Sequence, residues 1–299
     1  MRIVSLLPSA TEIVYALGLG DSLVGRSHEC DYPPAVQDKP VVTKSLIPSQ
    51  LPSRDVDRLV SEILRTHDTL YTLDVDLLQH LKPDLILTQA LCTVCAVSHR
   101  TVLEAVQHLY PRPEVINLEP TTLAEVMDTF MTVAEAAGVP ARGRRLVDIC
   151  HQQLKQIQAD NSLLPPVRVS FLEWIDPLFT CGHWIPELVA LAGGIDGHGQ
   201  AGTPSRRMHW QEVVDWQPEA IVISCCGFSV QRTLQEMCLL QNRSGWETLP
   251  AVRRGNVFIA DGSSFFSRPG PRLVDSARWL SDKLSQARNA LEPNRGSLS

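Results

Sequence analysis

The sequence predicts an α/β protein of two lobes built on parallel sheets and joined by a long helical segment. Three observations carry this. Short apolar runs alternate with amphipathic helical stretches over the first 120 residues, the same alternation resumes after residue 162, and Thr121 to about Ala159 keeps a helical period with one interruption at Gly138 to Pro140. Strands alternating with helices pair in parallel through crossovers. The central helical stretch is too long to be one of those crossovers. The expected division is an N-terminal α/β lobe over 1–120, a linking backbone helix over 121–161 and a C-terminal α/β lobe over 162–299.

The elements follow in order. "RIVSLLPS" reads as a short strand, and Ser9 and Glu12 then have capping-box spacing at the head of a helix that stops at the glycines of "LGLGD". "SLVGRSHEC" is a strand, "LPSRDVDRLVSEILRTH" and "LDVDLLQHLKP" are helices, "DLILTQ" is a buried strand, "HRTVLEAVQHLY" a helix and "EVINL" a strand. After the breaker "DNSLLPP" come the strand "VRVSFLEW", helices "WIPELVALAGG" and "WQEVVDWQP", the strand "EAIVISCC", helices "RTLQEMCLL" and "WETLPAVRRG", the strand "NVFIADG" and a last helix "RLVDSARWLSDKLSQARNAL". The tail "EPNRGSLS" is polar and expected to be disordered.

Composition narrows the function classes. The chain has 299 residues, 44% of them hydrophobic and 20% charged, which suits a globular protein with a sizeable core. A net charge of −6 with both signs interspersed leaves no basic stripe for a phosphate backbone, so nucleic acid is not an expected partner. No apolar run approaches the roughly 20 residues that span a bilayer, and membrane insertion is not expected. "MRIVSLLPSATE" breaks a secretory apolar segment with Pro8 and Glu12, so no export leader is read and the expected compartment is the cytoplasm, where the eight cysteines stay thiols.

Those cysteines hold the most chemistry. Cys30 closes the second strand, Cys92 and Cys95 follow "DLILTQ", Cys181 follows "VRVSFLEWIDPLFT", and Cys225 and Cys226 end "EAIVISCC". Ligands of open parallel sheets bind beyond the carboxyl ends of the strands. Six thiols therefore share a candidate binding address, and four thiolates suffice for a zinc site or an iron–sulfur cubane. Packing is the competing account of each one, because cysteine is among the most buried residue types. Cys150 and Cys238, both within helices, are assigned to packing, and the Cys92/Cys95 pair lacks the second knuckle of a zinc ribbon.

Polar and aromatic residues lie in the same loops. His28 stands two residues before Cys30 and His183 two after Cys181, spacings at which imidazole and thiolate could share a soft metal, although a hydrogen-bonded histidine explains either. Trp174, beside Glu173, and Trp184 could stack on a flat ligand or fill core. The sequence contains no glycine-rich phosphate loop, Gly-x-Ser-x-Gly or His-Glu-x-x-His, and no nucleophile–base set or carboxylate pair marks a reaction; an enzyme is not expected.

Taken together, Ser-x-x-Pro-Ser-x-Thr-Glu at residues 5–12, Asp-Tyr-Pro-Pro at 31–34, "LKPDLIL", "PLFTCGHWIPELVALAGG", "QPEAIVIS" and Arg-Pro-Gly-Pro at 268–271 within "LPAVRRGNVFIADGSSFFSRPGPRLVDSARWL" resemble a family. It is that of the substrate-binding proteins for cobalamin and iron chelates that serve ABC importers, and the likeness runs from residue 2 to about 285. The resemblance implies two Rossmann-like lobes of the class III, helical-backbone type, with a small metal chelate held in the interlobe cleft. It places the ligand residues in loops that here contain Ser27, His28 and Tyr32; Gln89; Glu173, Trp174, His183 and Trp184; Phe228; and Phe266 and Arg268. The ligand it implies is cobalamin or a related corrinoid, approached by a thiolate or histidine. The alternative from the thiols is a zinc or iron–sulfur site on Cys30, Cys92, Cys95, Cys181, Cys225 and Cys226. His99 and Gln211 stand near the positions where periplasmic members carry an acidic docking residue on each lobe, so permease docking is not expected. Oligomeric state is not readable from the sequence.

Overall fold

The computed structural model describes residues 1–48, 51–66, 69–89 and 99–291. The chain divides into two compact units: Met1–Pro120 with Ala124–Ile149 and Pro269–Pro271, and Thr121–Leu123 with Cys150–Arg268 and Arg272–Ser299. Both are α/β, each on a mainly parallel sheet, as the sequence predicts.

In the first unit β1 (Ile3–Ser5), α1 (Pro8–Ala16), β2 (Leu23–Arg26), β3 (Thr43–Ser45), α2 (Ser53–Ile63), β4 (Tyr71–Leu73), α3 (Val75–Leu81), β5 (Leu85–Thr88), α4 (His99–Val106) and β6 (Glu114–Asn117) follow one another. The sheet order is β2-β1-β5-β6, all parallel, with Ile3 beside Leu85 and Leu85 beside Glu114. β1 and β5 are buried at every position, which is why they read as unbroken apolar runs. Val4 and Ile86 pack with Val42, Leu78, Val102 and Val106 into one core, each such side chain contributing roughly 1.5–3 kcal/mol by leaving water.

Two local expectations are corrected. The N-cap of α1 is Leu7, with no side-chain cap, and Pro8 opens the helix; Ser9 and Glu12 are buried inside it and form no capping box. Proline supplies a preset φ and has no N–H left to satisfy, so the first turn needs no such box. β3 and β4, an antiparallel pair with Thr43 opposite Leu73, had no strand signal because each is three residues long and one is "TKS".

The 121–161 segment is two helices, α5 (Leu123–Ala136) and α6 (Pro140–Asn161). The break falls where Gly138 takes φ +72°, with open space where a Cβ would be, and Pro140 starts the next helix. The chain passes from the first unit to the second within α6, after Ile149.

The second unit continues with β7 (Val167–Trp174), β8 (Phe179–Thr180), α7 (Ile185–Leu191), β9 (Gly194–Asp196), α8 (Trp210–Trp216), β10 (Ala220–Ile223), α9 (Val230–Glu236), α10 (Cys238–Gln241), α11 (Pro250–Arg253), β11 (Val257–Ile259) and α12 (Leu273–Leu291). β7 pairs in parallel with β10, which pairs with β11; on its other side β7 meets β9 in parallel and β8 antiparallel. Leu172, Ile221, Ile223, Trp246 and Leu249 centre its core. In both units the chain builds outward from the first strand on one side and then returns to the other, so β1/β5 and β7/β10 are the switch points beyond whose carboxyl ends a ligand site is expected. Among the described residues no helix is long and apolar enough to cross a membrane.

Candidate functional site

The carboxyl ends of β7, β10 and β11 are tied into one surface by backbone bonds. Cys226 N–H donates to the Glu173 carbonyl (3.3 Å), Phe228 N–H to that of Cys225 (2.9 Å), Gly227 N–H to that of Gly262 (3.1 Å) and Gly262 N–H back to that of Phe228 (2.9 Å). Gly262 makes the approach possible, since a Cβ there would lie 1.9 Å from the Cys225 oxygen. Gly227 turns the loop at φ +76°. The result brings two expected ligand residues together: the Trp174 and Phe228 rings lie 4.7 Å apart at 51°. Both are half-buried. The Arg232 guanidinium covers the Phe228 ring at 4.6 Å and pairs with Glu236 at 2.5 Å.

Nothing in the sequence reading singled out Arg232 and Glu236, although "RTLQE" places them four residues apart on the helix that follows Phe228, a spacing at which side chains meet. Glu173 accepts a bond from Gly182 N–H (3.0 Å). His183 sits at φ +52°, stacked on Trp184 at 5.6 Å, and burial pushes its pKa down, which favours neutral imidazole.

Other expected ligand residues are structural. Phe266 is fully buried, meets Phe171 and Trp279 edge-on at 5.0 and 5.9 Å, and takes φ +58° because its N–H reaches Ser276 Oγ (3.1 Å) and its carbonyl receives the Trp184 indole N–H (2.7 Å). Trp184, 5% exposed, is therefore core, and both it and Phe266 are corrected from ligand contacts to supports of the loop after β11. Gln89 and Arg268 are also buried.

In the first unit the loop after β2 is built from within. Ser27 N–H donates to the Ser5 carbonyl and its hydroxyl accepts from Glu29 N–H (3.1 Å), while Arg26 donates to the carbonyls of Cys30, Lys39 and, at longer range, Ser27 and Gln37. His28 is anchored on the small sheet, its Nδ1 2.7 Å from Thr43 Oγ1 and its ring 5.3 Å from Tyr71. Tyr32 in this loop is 44% exposed.

The thiols do not share one environment. Cys30 is buried and accepts from Thr11 Oγ1 at 3.0 Å. Cys181 is buried, its pKa pushed well up by burial and then by the carboxylates of Asp196 and Glu173. Cys225 is fully buried and pushed up to about 12, chiefly by burial. Burial that disfavours the thiolate in this way leaves neither Cys181 nor Cys225 poised as a nucleophile. Cys226 is exposed. Cys150 is packed as expected and pushed up to about 11 by burial. Cys238 is exposed, a correction: in the one turn of α10 the inward positions are taken by Met237 and Leu240. Cys92 and Cys95 lie outside the described residues. Among the described residues no three His, Cys, Asp or Glu side chains converge to hold a metal ion.

A further network surrounds Cys181. Asp196 accepts from the N–H groups of Phe171 (2.9 Å), His198 (3.0 Å) and Gly199 (2.5 Å), and His198 Nε2 lies 2.9 Å from Ser170 Oγ. Sequence reasoning passed over "GIDGHG", whose short polar turn was its signal.

Comparison with known proteins places this arrangement. The periplasmic binding protein family model matches residues 3–263. A vitamin B12-binding protein of Vibrio cholerae serotype O1 is 25% identical over 285 residues, covering 93% of this chain and 87% of that protein. An uncharacterized ABC transporter substrate-binding lipoprotein, YvrC of Bacillus subtilis, is 24% identical, covering 95% and 79%. Among solved structures, the apo periplasmic heme-binding protein RhuT of Roseiflexus sp. RS-1 superposes with a TM-score of 0.71 at 21% identity, covering 97% of this chain and 99% of that one. The expectation that permease docking is lost finds no support in these relatives.

Proposed function

Since the chain belongs to the periplasmic binding protein family, we propose that it is a non-enzymatic receptor for a metal chelate of the corrinoid kind, cobalamin first. The observation that carries the reading is the Trp174–Phe228 pair, fixed by backbone bonds on the strand-end loops of the β7/β10 switch point. A half-buried aromatic pair on a rigid turn offers a large apolar face at low entropic cost, which suits a flat, partly apolar macrocycle. The vitamin B12-binding relative supports the corrinoid over other chelates.

Titration with cobalamin tests the reading. All six tryptophans, 174, 184, 210, 216, 246 and 279, lie in the second unit, so their emission reports on it. Saturable quenching at one equivalent is expected, weakened about tenfold or more in Trp174→Ala, the worth of one stacked aromatic contact. Undiminished affinity in Trp174→Ala with Phe228→Leu would remove the aromatic wall from the account.

A further inference from the structure

Resting on that reading, we infer that the aromatic wall selects chelates with an uncharged rim over chelates that carry carboxylates, and that Glu236 sets the preference by holding Arg232. The cation nearest the wall is already engaged. The Arg232 guanidinium lies over the Phe228 ring at 4.6 Å and reaches Glu236 Oε1 at 2.5 Å, and the Glu236 side chain is only 8% exposed. A pair so committed presents no net positive charge, and turning Arg232 toward a ligand carboxylate would break an ion pair whose carboxylate is buried, which is costly.

The neighbouring charges push the same way. Glu173 ends β7 with Oε1 on Gly182 N–H, and Asp261, after β11, accepts from Ser263 N–H (2.9 Å) and Ser263 Oγ (2.5 Å). The other guanidiniums of the loop after β11, Arg268 and Arg272, have interactions of their own, and Arg268 is buried. With Asp176 in the loop after β7, four carboxylates thus stand against three guanidiniums, and His183 favours its neutral form. A corrin ring fringed with amides can pack against the Trp174–Phe228 pair and donate hydrogen bonds to carboxylate oxygens. A porphyrin with two propionates, or an anionic iron chelate, meets like charge instead. Repulsion of this kind discriminates between ligands of equal apolar area.

The test compares the full chain's affinity for cyanocobalamin, for iron protoporphyrin and for the bis-amide of that porphyrin, read by tryptophan quenching. The bis-amide is expected to bind at least tenfold tighter than the diacid, and cobalamin tighter than the diacid. Glu236→Gln should lower the bis-amide to diacid ratio about tenfold, because Arg232 then becomes available for one charge-assisted hydrogen bond. The porphyrin pair needs no variant, so a misfolded Glu236→Gln leaves the test intact. A diacid bound as tightly as its bis-amide would overturn the inference while leaving the receptor reading in place. Failure of all three to bind would overturn the receptor reading itself.

Discussion

Replacing Gly262 with alanine perturbs the point on which the candidate site is built. The new Cβ would sit 1.9 Å from the carbonyl oxygen of Cys225, 2.6 Å from its carbon and 3.2 Å from its nitrogen. These are backbone atoms at the end of a central strand, so no rotamer change relieves the clash. One loop must retreat, which breaks the bonds between Gly227 N–H and the Gly262 carbonyl (3.1 Å) and between Gly262 N–H and the Phe228 carbonyl (2.9 Å). Two hydrogen bonds at about 0.5–1.5 kcal/mol each, plus about 1–3 kcal/mol for overpacking, less up to about 1 kcal/mol regained because alanine restricts the unfolded chain, give a loss of roughly 1–6 kcal/mol. Urea unfolding followed by tryptophan emission reads the second unit alone, and the midpoint should fall at constant slope. Gly227→Ala is the comparator: its φ is +76° but nothing lies within 4 Å of the added carbon, so it should cost only about 1–2 kcal/mol of left-handed strain. A Gly262→Ala protein within about 0.5 kcal/mol of the parent, or no worse than Gly227→Ala, would refute the claim that this contact fixes the loops.

Two further outcomes are expected. Under native conditions an alkylating reagent at neutral pH should label the exposed Cys226 and Cys238, while Cys30, Cys150, Cys181 and Cys225 react only after unfolding; peptide mapping that finds Cys225 modified in the folded protein would contradict its burial. The Glu212 carboxyl is held down to about 2 by its hydrogen bond from Arg206 and by His209 N–H. Its contribution is therefore present above its ordinary value of 4.5 and lost as pH falls toward about 2. Glu212→Gln should cost less than about 1 kcal/mol at neutral pH, because the pair is largely exposed, and should converge with the parent near pH 2; a gap that widens with acid would contradict the assignment.

Much of this architecture is legible in the sequence because the central strands are short apolar runs buried on both faces, and "IVS", "LILT" and "AIVI" can hardly be anything else. What escaped detection was set by tertiary partners. Among the described residues β3 and β4 pair only with each other, and the indole of Trp184 donates to the carbonyl of Phe266. The site was half legible for the same reason. Trp174 and Phe228, both placed at strand ends, have their rings in contact, whereas the thiols at those ends divide into buried Cys30, Cys181 and Cys225 and exposed Cys226. A strand-end position fixes where the backbone goes. It does not fix whether the side chain turns inward, and the Arg232–Glu236 pair beside Phe228 sits on the helix that follows the loop.

The most direct test is an absorption spectrum with metal analysis on protein purified without oxygen, before and after addition of cobalamin. The account predicts protein free of iron and sulfide that takes up one equivalent of corrinoid and shows its bands. Stoichiometric iron with acid-labile sulfide, a broad charge-transfer band and no corrinoid uptake would contradict it.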